Sequence, residues 1–451
     1  MAISVPYNLE LEQSFLGDAI FDTRSRIEEL AQSIRPEDFY DLKHQQIWAS
    51  AIAHAEHGAA MTAEGLAKIV GEDLRPYLAD LQDRRMRVNP AYCIKSLRDL
   101  SLKREVAEFG EVTKRDACDA DPTRSGRDLL EAAEARLYSV AEHGSGRNRA
   151  STMADARRKA DAMIERVHKS GGGLSGIPTG IAALDKRLGG LRDSELIIAA
   201  GRPGMGKTAL ALTLAVSAAK TGKKVKIVSL EMSEEQLVQR LYAQFTGISV
   251  QEQLKAGAPL SMFRRLADAG NLLDELPISI DASDTQTVTS IRAEARRDKR
   301  RGGLDLLIID YLGLIQPSDP KAQKVHQIEQ ITTGLKRLSK ELNIPVVLLA
   351  QLNRGVESRD DKRPGLADLR DSGSIEQDAD VVMLLYRAEY YLAKEEPEDS
   401  SKWAAWSERR EAAKGKADII TAKYRQGETG TDTVRFDGVR QVFADLEGGA
   451  R

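Results

Sequence analysis

The residues Gly201-Arg202-Pro203-Gly204-Met205-Gly206-Lys207-Thr208 fit the pattern G-x-x-x-x-G-K-[ST], a spacing suited to cradling phosphate. Glycines let backbone N–H groups turn inward around an anion, and the helix that follows offers unpaired N–H groups and its positive dipole end. In that setting Lys207 reaches the β- and γ-phosphates of ATP, and the Thr208 hydroxyl takes one Mg²⁺ position. Asp310 closes the apolar run Leu306-Leu307-Ile308-Ile309 and is placed to hold the Mg²⁺ shell opposite Thr208. Glu231, in Ser229-Leu230-Glu231-Met232-Ser233, admits two readings. It polarises the water attacking the γ-phosphate, or it is a first-turn carboxylate that complements a helix dipole. Gln351 follows the run 346–350 and is either a neutral amide reporting the γ-phosphate or a solvent-facing loop residue. Lys423 and Arg425, two apart on a strand, project to one face. They are a solvated edge pair, or an arginine-led pair supplied to another subunit's ATP.

These residues need elements to hold them. The run 196–200 reads as a buried strand before the glycine loop, and the breaker-free stretch from 207 onward as a helix. Further apolar runs at 225–230, 278–280, 304–309, 346–350, 381–385 and 419–423 alternate with helical segments. That alternation predicts an α/β domain: a largely parallel sheet with helices on both faces. Ligands of such sheets bind at the carboxyl ends of the strands, so the reactive residues are expected just after these runs. Residues 1–142 read as all-helical, with apolar residues at helical spacing such as Leu11, Phe15 and Leu16, then Leu129, Leu130, Ala133, Leu137 and Val140. The polar stretch 143–149 reads as a hinge, and 151–155 as the start of a helix running to about 168. Its stripe is Met153, Ala156, Ala160, Met163, Ile164 and Val167, and Ser170-Gly171-Gly172-Gly173 bounds it. Such a helix cannot bury its stripe alone; it folds back on its own chain or docks on a neighbour. The expected organisation is a helical domain at 1–142, a linker at 143–175 and an ATPase domain at 176–451.

With 451 residues the chain is long enough for two or three domains. A net charge of −3 excludes a basic coat for nucleic acid, so any such contact comes from a local patch. The run Arg296-Arg297-Asp298-Lys299-Arg300-Arg301 reads as a solvated helix end whose cations face the negative pole of the dipole. Cys93 and Cys118 lie far apart with no histidine spacing for a metal. No apolar run approaches 18 residues and no signal peptide opens the chain, which leads us to expect a cytoplasmic protein with no membrane partner.

A longer set of segments resembles the DnaB-type replicative DNA helicases, hexameric motors with a RecA-like core. It includes Gly176-Ile177-Pro178-Thr179-Gly180 with Leu184-Asp185, the glycine loop, and Ser229 to Ser233. It continues through Ile309-Asp310-Tyr311-Leu312, Ala350-Gln351-Leu352-Asn353-Arg354, Lys362-Arg363-Pro364 and the thirteen-residue stretch from Asp368 to Asp380. Pro6, Glu10, Glu12-Gln13, Leu16-Gly17, Pro36-Glu37-Asp38-Phe39-Tyr40 and His44-Gln45 extend it to the helical domain. The resemblance implies a RecA-like ATPase domain preceded by an all-α domain and a linker helix that docks on the next subunit. It implies that Glu231 is the catalytic carboxylate, that Arg240 and Gln351 touch the γ-phosphate, and that Arg425 with Lys423 acts in trans. It also implies that Arg370, Asp371 and Gly373, with Arg354, hold single-stranded DNA in a central channel. Partners implied are forked duplex, a homohexamer, a primase and a loader, with 5′ to 3′ travel. The chain departs from the family at Asp371, where glutamate is usual, and at Thr333, where arginine is common; residues 386–416 match nothing in it. A RecA-like strand-exchange protein and an ATP-switched ring scaffold are the competing readings. Unwinding of forked duplex with ATP, compared with a non-hydrolysable analogue, separates all three.

Overall fold

The computed structural model describes the chain apart from residues 1–4, 22–26, 28–29, 32, 57–61, 84–88, 120–124, 127–128, 131, 134–135, 138–139, 141–152, 170–173, 284–285, 318–320, 370–372, 398 and 447–451. It divides into two compact units, Met1–Asp161 and Ala162–Arg451.

The first unit is helical among its described residues: α1 (Leu9–Ile20), α2 (Leu42–Glu56), α3 (Ala63–Val70), α4 (Arg75–Asp83) and α5 (Pro90–Cys118). Asn8 caps α1 by accepting from Leu11 N at 3.0 Å, satisfying one of the donors a helix start leaves unpaired. The apolar stripe of α1 meets Trp48 of α2, with the Phe15 and Trp48 rings 5.4 Å apart edge to face. Inside this core Glu12 is fully buried, and it accepts from Tyr40 N at 2.7 Å and lies 2.6 Å from His44 Nδ1. His44 Nε2 lies 2.6 Å from the Tyr77 hydroxyl. The buried Glu12 and His44 and the backbone N–H of the exposed Tyr40, all positions in the resemblance, are thus one hydrogen-bonded network, which a carboxylate needs to survive loss of water. Helix α6 (Met153–Lys169) begins where the capping signal predicts, although Ser151 and Thr152 themselves lie outside the described residues.

In the second unit α7 (Ala182–Leu188) precedes β1 (Leu196–Gly201) and α8 (Lys207–Lys220), followed by β2 (Val225–Ser229) and α9 (Glu234–Thr246). Helices α10 (Val250–Gln253) and α11 (Leu260–Asp274) lead to β3 (Ile278–Asp281), α12 (Val288–Arg301) and β4 (Leu306–Asp310). Then come α13 (Lys324–Leu342), β5 (Val346–Gln351), α14 (Gly373–Asp378) and β6 (Val381–Tyr386). Helices α15 (Ala388–Leu392) and α16 (Ser400–Ala413) precede β7 (Lys416–Tyr424), β8 (Gly430–Asp437) and β9 (Val442–Ala444). The sheet order is β3-β2-β4-β5-β1-β6-β7-β8-β9. The first six strands in that order are parallel, and β7 to β9 turn back as an antiparallel meander.

Strands that read as unbroken apolar runs still sort by period two. Ile197, Ala199, Val347 and Leu349 face α8, while Leu196, Ile198, Val346 and Leu348 face α12 and α13. Both faces are covered, as the alternation of elements requires. The hairpin β8–β9 was not anticipated, although Asp437-Gly438 between Phe436 and Val442 carries the usual turn signal. Of the stretch 386–416, Ala388–Leu392 and Ser400–Ala413 fold as α15 and α16, held together by Trp406, which is buried and donates Nε1–H to the Leu392 carbonyl at 2.9 Å. The arginine run ends α12 as expected, but it is not simply solvated. Arg296 pairs with Glu341, and Lys299 Nζ donates to the Leu304 carbonyl at 2.7 Å.

Candidate functional site

The glycine loop links β1 to α8 and lines a cleft of about 440 Å³ together with Glu231, Arg240, Tyr311, Gln351, Arg387, Phe436 and Gln441. Gly204 and Gly206 hold φ of 83° and 95°, left-handed values that a side chain would strain, which is why the loop needs glycine there. A Cβ on Gly204 would also come within 2.7 Å of the Tyr390 ring. Arg202 and Met205 turn their side chains out of the cleft. Arg202 donates Nε–H to Glu357 and Nη1–H to the Leu352 carbonyl, each at 2.9 Å, and Met205 is in the core. The Lys207 ammonium donates to the Gly201 carbonyl at 3.0 Å. Burial pushes it below its ordinary value, against the pull of Asp310 and Glu231.

Register does the positioning. Gly201 is paired with Gln351 across β1 and β5, and Ser229 with Asp310 across β2 and β4. Gln351 therefore ends a central strand beside the first loop residue and is not a solvent-facing loop residue. Thr208 donates Oγ1–H to Asp310 Oδ2 at 2.7 Å. Asp310 Oδ1 is buried without a partner among the described residues. Burial raises the Asp310 carboxyl, Glu231 adds to the rise, and Thr208 and Lys207 oppose it. A buried carboxylate oxygen left unpaired beside a hydroxyl is a donor set of hard oxygens, which suits Mg²⁺ completed by phosphate and water.

Glu231 is exposed and precedes α9, whose cap is Ser233 and whose first-turn acids are Glu234 and Glu235. The dipole reading of Glu231 therefore does not hold. Its turn is pinned instead by Ser229, whose Oγ donates to the Met232 carbonyl at 2.7 Å, and by Leu230 N donating to the Asp310 carbonyl at 2.6 Å. Arg240, on α9, reaches into the same cleft. Burial pushes its guanidinium down while Asp310 and Glu231 hold it up, so both carboxylates act on it.

Four contributors escaped the sequence reading. Arg387 follows β6 directly, donates to the Gly204 carbonyl at 3.0 Å and lies 4.1 Å over the Phe436 ring. The strand-end rule that singled out Asp310 and Gln351 applies to it equally. Tyr390, Phe436 and Gln441 come from α15 and the β8–β9 hairpin, elements the reading had not assigned.

The expected strand-end position fails for Lys423 and Arg425. Because β7 runs antiparallel to β6, Lys423 is level with Val382 and Tyr424 with Val381, at the amino ends of the parallel strands. The pair thus lies at the sheet edge opposite its own glycine loop. Both side chains do share one side: Lys423 Nζ donates to the Glu376 carbonyl and Arg425 Nη2 to the Gln377 carbonyl. Of the residues that the resemblance assigns to a DNA channel, Gly373 opens α14 and is exposed, whereas Arg370 and Asp371 lie outside the described residues. Exposed Arg354 begins a short turn after β5, where Leu352 bridges to Leu369 and Asn353 N donates to the Asp368 carbonyl at 2.8 Å. Thr333 donates to Asp378 at 2.8 Å.

The family model described as the DnaB-like helicase C terminal domain matches residues 176–445, and that of the DnaB-like helicase N terminal domain matches residues 4–98. The chain is 37% identical to the replicative DNA helicase DnaB of Rickettsia bellii, over 99% of this chain and 94% of that one. It is 34% identical to the replicative DNA helicase DnaC of Bacillus subtilis, over 98% and 95%. A solved DnaB-like replicative helicase, described with its interactions with primase, superposes with a TM-score of 0.70 at 27% identity, covering 98% of this chain and all of that one. A second solved structure, described as an ATPase domain, superposes with a TM-score of 0.58 at 32% identity, covering 64% of this chain and 98% of that one. With a RecA-like ATPase fold behind a helical N-terminal region, the chain belongs to the DnaB-type replicative DNA helicases, a family of ATP-dependent DNA helicases.

Proposed function

We propose that this chain works as a homohexameric ring that hydrolyses ATP between subunits, moves 5′ to 3′ along single-stranded DNA and opens the duplex at a replication fork. The observation that carries this reading is the separation of Arg425 from its own glycine loop across the sheet. Leu196, beside the Asp380 that Arg425 pairs with, and Gly201 are the two ends of β1. Those five steps measure roughly 17 Å at about 3.3 Å per residue. An arginine side chain spans less than half that distance, so the triphosphate within reach of Arg425 is a neighbour's.

In the site so completed, Thr208 and Asp310 would hold Mg²⁺, which would supply positive charge to offset that of the phosphates. Lys207 and Arg240 place positive charge on the triphosphate, and Glu231 orients the attacking water and accepts its proton. Gln351 is level with Gly201 and contacts the γ-phosphate. Arg354, Arg370, Asp371 and Gly373 hold the DNA backbone, as a sequence-blind motor requires. Helix α6 docks on the next subunit; Met153 and Ile164 are 84% and 66% exposed in the single chain, which supports a partner for that stripe. A primase and a loader are the further partners, and the cytoplasm is the compartment. No helix among the described residues is long and apolar enough to cross a membrane.

Forked-duplex unwinding tests the reading. The wild-type chain unwinds with ATP and not with a non-hydrolysable analogue, and Lys207→Ala, folded and assembled, does neither. Substantial unwinding by Lys207→Ala refutes it.

A further inference from the structure

Strands β1 and β6 are parallel neighbours, so the segments that follow them meet at one edge of the sheet. The glycine loop follows β1, and Arg387 with α15 follows β6. The apex of the loop, Pro203 and Gly204, is exposed, while Arg202 and Met205 on either side are buried. Such an apex resists a fixed shape. Glycine has the most backbone freedom to lose, and inward-turned N–H groups repel one another until an anion sits among them. Here α15 and the residue before it fasten the apex at two points. Arg387 Nη1 donates to the Gly204 carbonyl at 3.0 Å, and the Tyr390 ring fills the space beside Gly204, where a Cβ would come within 2.7 Å of it. The ring is itself held: Lys394 Nζ donates to the Tyr390 hydroxyl at 2.8 Å, and the Tyr391 ring lies edge-on at 5.5 Å. A helix of five residues does not stand alone. Its support comes from α16, of whose described residues Trp406 alone is buried, its Nε1–H given to the Leu392 carbonyl at the end of α15 at 2.9 Å. Just past α16, Gly415 N donates to Glu389 Oε2 at 3.1 Å, and that oxygen lies 3.6 Å from the Arg387 guanidinium. Contacts therefore run from α16 to α15 and from α15 to the glycine loop.

We propose that α15 and α16 are a brace that holds the glycine loop in its phosphate-binding shape before nucleotide arrives. Arg387 and Tyr390 are its contacts with the loop, and Trp406, which does not line the cleft, is the positioning residue that acts through them. A loop already shaped loses less freedom on binding, so the brace raises nucleotide affinity. The inference rests on the reading of the loop as the phosphate site. It also gives residues 386–416, which match nothing in the resemblance, a role of their own.

The test uses the full chain without DNA. ADP affinity is measured by calorimetry, and hydrogen exchange is followed over the glycine-loop peptides with no nucleotide present. Tyr390→Ala binds ADP about tenfold more weakly and exchanges faster in the loop, whereas Tyr390→Phe, which keeps the ring, stays close to wild type. Trp406→Ala repeats both changes from a distance and raises KM for ATP, with kcat at saturating ATP within about twofold of wild type. The double variant loses much less than the product of the two single losses, because both act through one contact. Should Trp406→Ala fail to fold, Trp406→Phe keeps a ring and drops the donor to the Leu392 carbonyl, with a smaller loss in the same direction. Wild-type affinity and loop exchange in Tyr390→Ala overturn the brace. Losses in Trp406→Ala and Tyr390→Ala that multiply in full, or faster exchange spread evenly over the whole domain, overturn the role of Trp406, since it then acts apart from the loop. Wild-type ADP affinity in Lys207→Ala overturns instead the reading of the loop as the phosphate site.

Discussion

Two inactive variants should restore each other's activity if Arg425 serves its neighbour. Lys207→Ala removes the ammonium from the glycine loop, and Arg425→Ala removes a guanidinium at the opposite sheet edge, beyond the reach of that loop in the same chain. A finger arginine is worth about 10³–10⁵ in kcat, or roughly 4–7 kcal/mol of barrier, so each variant alone should show almost no DNA-stimulated hydrolysis. In rings assembled from a 1:1 mixture, a working site needs its loop from an Arg425→Ala subunit and its finger from a Lys207→Ala neighbour. Random placement makes about one site in four complete, and independent sites then give about a quarter of wild-type turnover. Were both residues to serve the same subunit's ATP, no complete site could form at any ratio. The assay is single-stranded-DNA-stimulated phosphate release across mixing ratios, with mixed rings verified by mass. Recovery should peak at equal proportions. Verified mixed rings with no recovery at any ratio would refute the trans geometry, as would full activity of Arg425→Ala alone.

Asp310→Asn keeps an acceptor for Thr208 but removes the charge, so kcat should fall at least about a hundredfold with the fold intact; an unchanged kcat would show that Asp310 holds no metal. Arg387→Ala loses the donor to the Gly204 carbonyl and the ring contact with Phe436, and KM for ATP should rise about tenfold while kcat changes little. Burial pushes the Glu195 carboxyl up from its ordinary 4.5 to about 7, with Asp380 adding to the rise and Arg192 and Lys336 opposing it. The folded chain thus holds that proton more tightly than the unfolded one. The stability this contributes is full below about 4.5 and is lost as pH rises through 7, a change of about 3 kcal/mol. Glu195→Gln should therefore gain in melting temperature over wild type between pH 5 and pH 8, and parallel melting profiles would refute the assignment.

The sites legible in the sequence are those where one short segment carries both the chemistry and its support. The glycine loop is such a segment: strand, glycines and helix are contiguous, and Gly204 and Gly206 take the left-handed φ that only glycine accepts easily. Asp310 and Gln351 were legible for a related reason. Each ends an apolar run, and in a parallel sheet all such ends lie along one edge. Glu231 was legible as a position but not as a role, because its relation to the start of α9 depends on which residue caps the helix. Arg387 obeyed the same strand-end rule and was passed over; Phe436 and Gln441 sat on a hairpin whose half-polar strands, the second of them short, have no buried run to mark them.

By itself the sequence determined the strands and helices of the parallel sheet, the phosphate cradle and the covering of both faces, since these depend on local spacing, backbone conformation and the period of apolar residues; α15, α16 and the β8–β9 hairpin it did not. Tertiary structure alone decided on which edge each strand end falls. The reversal of β7 moved Lys423 and Arg425 away from their own nucleotide and onto the carbonyls of α14, because strand direction is set by pairing with β6 and not by the strand's own residues. Register across β1 and β5, and across β2 and β4, brought Gln351 to Gly201 and Asp310 to Thr208; such pairings form between segments far apart in the chain, which no local spacing encodes.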